Sequence, residues 1–184
     1  QEGAYDTDWE KIALVDGYTR DADISMSGGS EKTNYYFSVS YNDTKGIVRG
    51  NELAKINART NVSHKFSNKF SLSMNLGFNR SKIDRIANDN AFVTPLQAIA
   101  QAPISPAFLD GEPFSNTVYP NFLLEDKYGF FTTIIRRATG KISGDYKIIP
   151  NLKFTSSFAF DSFAQTEDQF RGSKTPFQST NGEG

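Results

Sequence analysis

The feature that most constrains this chain is a period-two alternation of apolar and polar residues in two neighbouring segments. In residues 55–66 the even positions are mostly apolar, and the odd positions carry lysine, arginine, asparagine and serine. In residues 70–78 the even positions carry Phe, Leu, Met, Leu and Phe, again with polar partners or glycine between them. Only "SNK" separates the two segments. Because successive side chains of a strand point to opposite faces, this pattern predicts a hairpin with one apolar face and one polar face.

The same alternation recurs on both sides of this hairpin and predicts an all-β fold, an antiparallel up-and-down meander. The predicted strands cover 19–27, 33–42, 53–66, 69–82, 134–149 and 151–162. Short connections ("GGSEK", "SNK", "IPN") alternate with longer ones, the longest being 83–133. Loops sorted by end in this way are typical of an outer-membrane barrel, and the strands exceed the usual soluble length of about five or six residues. We therefore expect part of a transmembrane β-barrel.

Composition narrows the possible functions. A net charge of −1 without a basic stripe excludes nucleic acid as the expected partner. The absence of cysteine excludes disulfides and thiolate metal sites. The sequence contains no stretch of about 18 consecutive apolar residues, so it predicts no transmembrane helix, and the first residues do not resemble a signal peptide. Aromatic residues make up 14% of the chain, including 16 Phe, as expected of a strand-rich protein.

The chain divides into five expected parts. Residues 1–18 form a loop segment with a short helical turn in "TDWEKIAL", capped by Thr7 or Asp8. Residues 19–82 hold the first barrel strands. Residues 83–133 form a long extracellular loop with a short helix near 95–102 and an otherwise irregular course. Residues 134–162 form a second barrel hairpin, and residues 163–184 form a loop or tail.

The segment "GGSEKT", residues 28–33, invites comparison with a phosphate-binding loop. Such a loop requires G-x-x-x-x-G-K-[ST] between a buried strand and a helix. Here the two glycines are adjacent, no glycine precedes Lys32, and an alternating aromatic strand follows. We therefore expect a tight turn in which Gly28 and Gly29 supply positive φ angles.

Candidate catalytic and metal-ligating residues are few. His64 is the single histidine, which leaves no histidine-based triad or metal cluster, and we expect an interfacial or packing role for it. The acidic pairs Asp6/Asp8, Glu125/Asp126 and Glu167/Asp168 lack the spacing that identifies a glycosidase site, and "DRIANDN" (84–90) lacks the register of a calcium loop. We expect no enzymatic activity, no cofactor, and no catalytic or metal site, and the substrate-binding residues are not identified.

Aromatic residues leave two interpretations open. Those near predicted strand ends would form a girdle at the bilayer interfaces or fill a β-core; they are Tyr35, Tyr36, Phe37, Tyr41, Phe66, Phe70 and Phe78. Those in the long loop would stack on sugar rings or pack the loop itself; they are Phe108, Phe114, Tyr119 and Phe122.

Residues 7–82 resemble the early barrel of the SusC/RagA family of TonB-dependent outer-membrane transporters of Bacteroidetes. The resemblance lies in a series of motifs in order: the T-D-W segment, a strand, "SGGSEKT", an aromatic strand, a loop with Gly46-Ile47, N-x-R-x-N at 57–61, and a hairpin. It implies a 22-stranded barrel with an N-terminal plug. The chain is then expected to be a barrel fragment without the plug or the TonB box, with the short turns in the periplasm and residues 83–133 outside.

The resemblance also implies a function and partners. Oligosaccharides or peptides would be imported together with a SusD-like surface lipoprotein, driven by the TonB complex through the missing N-terminal region, and the apolar face would contact outer-membrane lipid. The alternative is a soluble antiparallel β-domain that binds glycan or protein. A hydrolase is a third hypothesis, for which no particular carboxylate stands out.

Overall fold

The computed structural model describes residues 5–86 and 93–176. Within these residues the long strands are Tyr18–Gly29 (β1), Thr33–Lys45 (β2), Glu52–Lys65 (β3), Phe70–Arg85 (β4), Gly129–Ile149 (β7) and Leu152–Arg171 (β8). The shorter elements are α1 (Trp9–Ala13), a 3-10 helix (Pro95–Ala100), the two-residue strands Phe108–Leu109 (β5) and Glu112–Pro113 (β6), and α2 (Phe122–Tyr128). No helix in these two ranges is long and apolar enough to cross a membrane.

The six long strands form one antiparallel sheet in the order β1-β2-β3-β4-β7-β8. Each strand therefore pairs with its neighbour along the chain, apart from the small β5–β6 hairpin between β4 and β7. The three short turns, at residues 30–32, 66–69 and 150–151, lie at one end, and the longer connections lie at the other. The expected all-antiparallel meander is confirmed.

The strands extend further than the alternation indicates. β4 continues to Arg85 and β7 begins at Gly129, within the segment expected as loop. The loop or tail expected from residue 163 is corrected for residues 163–171, because β8 continues to Arg171. Polar contacts support these extensions: the Thr132 hydroxyl donates to Asp84 Oδ1 at 2.6 Å. Since residues 164–169 are polar on both faces apart from Ala164, they carry no period-two signal.

The turn in "GGSEKT" forms for a different reason from the one expected. Gly28 and Gly29 lie at the end of β1, and neither has a positive φ. A larger side chain would not fit at either position. A Cβ at Gly28 would lie 2.7 Å from the Tyr35 ring, and one at Gly29 would lie 2.8 Å from the Thr33 carbonyl oxygen. The bend itself is closed by Ser30, whose Oγ accepts from the backbone N–H of Thr33 at 3.2 Å. The turn assignment stands, with the close approach of the Tyr35 ring and of the Thr33 backbone in place of left-handed glycines.

One face of the sheet is apolar and exposed. Its exposed large side chains are Ile24, Met26, Tyr35, Phe37, Val39, Tyr41, Ile56, Phe70, Leu72, Phe78, Ile142, Tyr146, Phe154, Phe158 and Phe160. Ile24 is 72% exposed and Phe158 is 67% exposed. Covering one such side chain is worth about 1.5–3 kcal/mol, so this face is unfavourable in water and suits a lipid environment.

The aromatic residues near the strand ends do not form a core. Tyr36 is in register with Ser27 and Asn61 on the polar face, so it does not belong to a lipid-facing girdle. The other six are exposed. At the short-turn end Phe66 stacks on Phe70 with ring centroids 5.3 Å apart, and His64 meets Phe66 edge-on at 4.5 Å. This cluster has the composition of an interfacial girdle.

The buried core lies beyond the sheet, in a region we call the capping lobe, formed by residues 5–17, 46–51 and 93–128. Trp9 and Ala13, one helical turn apart, are 3% and 0% exposed and pack with Phe122 and Leu123. Asp8 caps α1 by accepting from the Lys11 backbone N–H at 2.9 Å. Within the described ranges, Phe131 and Thr133 are the buried non-glycine residues that belong to the six long strands.

The capping lobe is joined by backbone hydrogen bonds between distant segments. Thr7 donates to the Pro103 carbonyl at 2.9 Å, and Val15 donates to the Ile47 carbonyl at 2.8 Å. The Trp9 indole N–H donates to the Ala102 carbonyl at 3.3 Å. The three segments of the capping lobe, at one end of the sheet, therefore fold as one unit.

Two elements of the capping lobe were not expected. The β5–β6 hairpin turns at Asp110 and Gly111, whose φ angles are 52° and 80°. Helix α2 is capped by Asn121, which accepts from the Leu123 backbone N–H at 3.1 Å. An Asp-Gly pair and an Asn cap are the usual signals of such elements, so both could have been found in the sequence.

Candidate functional site

The polar face of the sheet carries a ladder of hydrogen-bonded side chains across three strands. Ser40 on β2, Asn57 on β3 and Asn79 on β4 are register partners. Asn57 Nδ2 donates to Ser40 Oγ at 3.0 Å, and Asn79 Nδ2 donates to Asn57 Oδ1 at 2.7 Å. The pairing register places these amides side by side, so the ladder follows from the period-two pattern. It presents hydroxyl and amide groups to whatever lies against this face.

A shallow depression of about 390 Å³ lies beside the ladder. Its floor includes Gly77, which sits in register between Arg59 and Thr139. A Cβ at Gly77 would lie 2.8 Å from Thr139 Oγ1, so a side chain there would displace that hydroxyl. The missing side chain of Gly77 therefore creates part of the depression.

Two arginines contribute charge to the depression. Arg59 and Arg137 both line it. Arg137 Nε donates to Asp161 Oδ1 at 3.0 Å, and its second guanidinium nitrogen contacts the other carboxylate oxygen. Guanidinium, amide and hydroxyl groups together can hydrogen-bond sugar hydroxyls or peptide carbonyls.

The structure does not bring the acidic pairs into a catalytic arrangement. Asp8 caps α1, and Asp126 lies 3.4 Å from Arg49. Glu167 Oε1 accepts from Gln165 Nε2 at 3.1 Å. These carboxylates therefore have structural partners. In the described ranges no group of three His, Asp or Glu residues could hold a metal ion.

The structure also places His64 and part of the suggested calcium segment. His64 Nδ1 lies 2.7 Å from Thr33 Oγ1, between a hydroxyl and an aromatic ring, which fits the packing role expected for it. In the suggested calcium segment, residues 87–90 lie outside the described residues. Asp84, at the start of that segment, accepts from Lys82 Nζ at 2.7 Å.

The four aromatic residues of the long loop differ in their exposure. Phe122 is 0% exposed in the core of the capping lobe, so it packs the loop and cannot stack on a sugar. Phe114 is half-buried, whereas Phe108 and Tyr119 are exposed. Of these four residues, Phe108 and Tyr119 are the most accessible to a ligand.

Glu125, one member of the acidic pair Glu125/Asp126, is buried, which the sequence did not indicate. Its side chain is 2% exposed, and Oε1 lies 3.6 Å from Nε of Arg171 at the end of β8. That separation is an ion-pair distance but too long for a hydrogen bond, and Oε1 has no hydrogen-bond partner among the described residues. Burial raises the pKa of Glu125, and the charge of Arg171 opposes part of that rise.

An exposed ion pair links α2 to the β5–β6 hairpin. Lys127 Nζ donates to both carboxylate oxygens of Glu112 at 2.8 Å, and the Tyr128 hydroxyl also donates to Glu112. The hydrogen bond from Lys127 is the main cause that lowers the pKa of Glu112. The same bond raises the pKa of Lys127.

Comparison with known proteins gives relatives of one kind. No family model matches the chain. "TonB-dependent receptor P26" of Formosa agariphila is 27% identical over 180 residues, covering 92% of this chain and 17% of that protein. "TonB-dependent receptor SusC" of Bacteroides thetaiotaomicron is 25% identical over 150 residues, covering 81% of this chain and 14% of that protein. The chain thus spans less than a fifth of the length of these relatives.

Solved structures show the same fold. A structure of the RagAB peptide transporter matches 96% of this chain and 21% of its own chain, with a TM-score of 0.75 and 20% identity. A structure of the RagAB peptide importer in the "closed-closed" state matches with a TM-score of 0.74, at 21% identity and the same coverage. The expected resemblance is confirmed in sequence and in fold: the chain is similar to SusC/RagA-type TonB-dependent transporters, and its sheet corresponds to part of their β-barrel.

Proposed function

We propose that this chain is part of an outer-membrane TonB-dependent transporter that imports oligosaccharides or peptides together with a SusD-like lipoprotein. The observation that carries the proposal is the two-sided sheet, in which neither face is buried. One face exposes large apolar side chains, and the other presents the Ser40–Asn57–Asn79 ladder. Lipid on one side and a watery lumen on the other satisfy both faces.

The polar face supplies the lumen wall along which a solute passes. The depression beside Gly77 offers hydrogen-bond donors and acceptors without a buried pocket. Weak, solvated contacts of this kind suit passage better than tight retention. Oligosaccharides and peptides both carry the hydroxyl or amide groups that would pair with this wall.

The sidedness follows from the connections. The short turns belong on the periplasmic side, as is usual for outer-membrane barrels, and the capping lobe then lies outside. There it is placed to contact a surface lipoprotein and an arriving solute. The exposed rings of Phe108 and Tyr119 are the available stacking surfaces for a sugar. The peptide importers with a similar fold support peptides as an equal candidate.

A soluble β-domain that binds glycan or protein is the alternative. It would need a second layer to cover the apolar face, since Ile24 is 72% exposed in the chain by itself. The described residues supply no such layer: their core lies in the capping lobe, beyond the end of the sheet.

Localisation and uptake test the proposal together. In a Bacteroidetes host, we expect the full protein in the outer-membrane fraction, released by detergent but not by salt. We expect loss of its gene to abolish growth on one oligosaccharide or peptide source while growth on the corresponding monomer continues. A protein that is monomeric and cooperatively folded without detergent would contradict the proposal.

A further inference from the structure

The short-turn end of the sheet carries a concentration of positive charge that lumen transport does not explain. A depression of about 820 Å³ lies at this end, between the three short turns. Of the described residues that line it, five are lysines and two are carboxylates. The lysines, which we call the lysine collar, are Lys32, Lys65, Lys69, Lys147 and Lys153.

The pairing register places the collar on the polar face. Lys65 alternates with His64, which belongs to the apolar face, and is in register with Ser71. Lys147 and Lys153 are partners of each other and follow the polar-face pair Asp145–Thr155. The two turn lysines are tied to this row by backbone bonds, since Lys65 N donates to the Lys32 carbonyl at 2.7 Å and Lys147 N donates to the Lys69 carbonyl at 2.8 Å.

The charge of the collar is mostly uncompensated. Lys153 Nζ lies 3.3 Å from Asp145 Oδ1, which is the ion pair found among the described residues of the depression. Asp145 also accepts from the Thr155 hydroxyl at 2.7 Å. The other four lysines have no carboxylate within ion-pair distance in the part of the chain that the structure describes. Like charges held together in this way repel each other unless an anion joins them.

The face that the collar occupies decides between two anionic partners. Lipid headgroups meet the outward face, and at this end that face carries Phe70, Tyr146 and Phe154. Phe70 also borders the depression, but the strand lysines Lys65, Lys147 and Lys153 lie on the opposite, inward face, where a segment of polypeptide can enter the mouth of the barrel. The depression is also large enough for several side chains at once.

We propose that the lysine collar binds an acidic polypeptide segment, one with several Asp or Glu side chains in succession, at the inner rim of the short-turn end. This goes beyond the proposed function, because the bound partner is a protein segment and not the transported solute. The binding is electrostatic and is therefore weakened by salt.

Peptide binding to the full chain in nonionic detergent tests the inference. The probe is a fluorescein-labelled oligoglutamate decapeptide, followed by anisotropy at low and high salt, with oligolysine for comparison. The variant combines Lys65→Gln, Lys69→Gln and Lys147→Gln. Because the variant loses three exposed ion pairs with the probe, we expect roughly tenfold weaker binding. The three Lys→Arg substitutions should retain affinity within about twofold, because they keep the charge.

The matched control carries Lys11→Gln, Lys45→Gln and Lys55→Gln at the other end of the sheet and should bind oligoglutamate as the wild type does. Circular dichroism and the heat-dependent gel shift check that all variants fold. Equal binding by the collar variant, or equal binding of oligoglutamate and oligolysine, would overturn the inference. So would a collar variant that loses only its association with phosphatidylglycerol vesicles, which would assign the lysines to lipid. The assay requires no uptake, so its result is independent of whether the transport proposal holds.

Discussion

Glu125 Oε1 lies 3.6 Å from Arg171 Nε, and this contact joins α2 of the capping lobe to the last residue of strand β8. The carboxylate is 2% exposed, whereas the guanidinium is 32% exposed. A buried carboxylate with one partly solvated partner is held at a cost, because the attraction does not fully replace the lost hydration. The Glu125–Arg171 pair therefore contributes more to the position of the capping lobe on the sheet than to the stability of the lobe.

This cost gives the capping lobe a pH dependence. Burial raises the folded-state pKa of Glu125 above its unfolded value, despite Arg171. The contribution of Glu125 to the stability of the capping lobe is therefore greatest below the pKa of Glu125 in the unfolded chain, about 4.3. That contribution is lost as pH rises through the higher pKa of Glu125 in the folded state. We expect the urea midpoint for unfolding of the capping lobe to fall as pH rises across that window. Glu125→Gln should flatten this dependence, and a midpoint that rises equally in both proteins would contradict the assignment.

Removing the partner should have a larger effect than neutralising the acid. Arg171→Ala leaves Glu125 without its ion pair, and we expect the free energy of unfolding to fall by about 1–3 kcal/mol, less than for a fully buried pair. Amide hydrogen exchange in α2 should accelerate, while exchange in β2 and β3 should not change. In the Glu125→Gln background the same substitution should cost much less. Equal costs in both backgrounds would show that Arg171 acts without Glu125.

Trp9 should carry much of the stability of the capping lobe. It is 3% exposed, and its indole N–H donates to the Ala102 carbonyl at 3.3 Å. Trp9→Ala should cost about 3–5 kcal/mol and expose residues 93–128 to limited proteolysis. Trp9→Phe keeps an aromatic ring but loses part of the indole volume and the N–H donor, and we expect a smaller cost than for Trp9→Ala, of which about 1 kcal/mol comes from the lost hydrogen bond. Unchanged proteolysis of the Ala variant would contradict the packing described.

The depression on the polar face should matter for passage and not for folding. Gly77→Leu fills it, and we expect slower uptake of solute with an unchanged heat-dependent gel shift; Thr139→Ala in the same protein removes the contact with Thr139 Oγ1. The matched control is Gly144→Leu on the apolar face, where an added Cβ meets Phe70 at an ordinary 3.7 Å. Equal uptake by the two variants would mean that the depression is not on the solute path.

Much of the sheet could be predicted because its signal is local. Alternation from Ile56 to Phe78 fixes two strands, their faces and the turn between them without any knowledge of the rest. The end of β8 could not be found in this way, because residues 164–169 are almost all polar and the period-two pattern disappears there. At the start of β7 the pattern is broken for another reason, since Phe131 and Thr133 are buried on the face that is polar further along the strand. Helix α2 was missed for a different reason. Asn121 is a suitable cap residue, but the surrounding segment is rich in Pro and Gly and was therefore interpreted as a loop.

The candidate site was less predictable than the fold. The ladder through Asn57 and Asn79 depends on which residues face each other across strands, and that requires the register. Glu125 could not be recognised either, since an acidic residue in a loop gives no sign that a core forms around it. The glycines of "GGSEKT" illustrate the same limit: the turn was predictable, but the close approach of Tyr35 to Gly28 was not.

The central claim is that the two faces of the sheet meet lipid and lumen, and two neighbouring residues of β8 test it most directly. Phe158 is 67% exposed on the apolar face, and Ser157 is exposed on the polar face. In urea titrations of folding into lipid vesicles, we expect Phe158→Arg to lower the free energy of unfolding by about 2–4 kcal/mol. Ser157→Arg should change it by no more than about 0.5 kcal/mol. Equal costs at the two positions, or a Phe158→Arg protein that becomes a stable soluble monomer, would contradict the account.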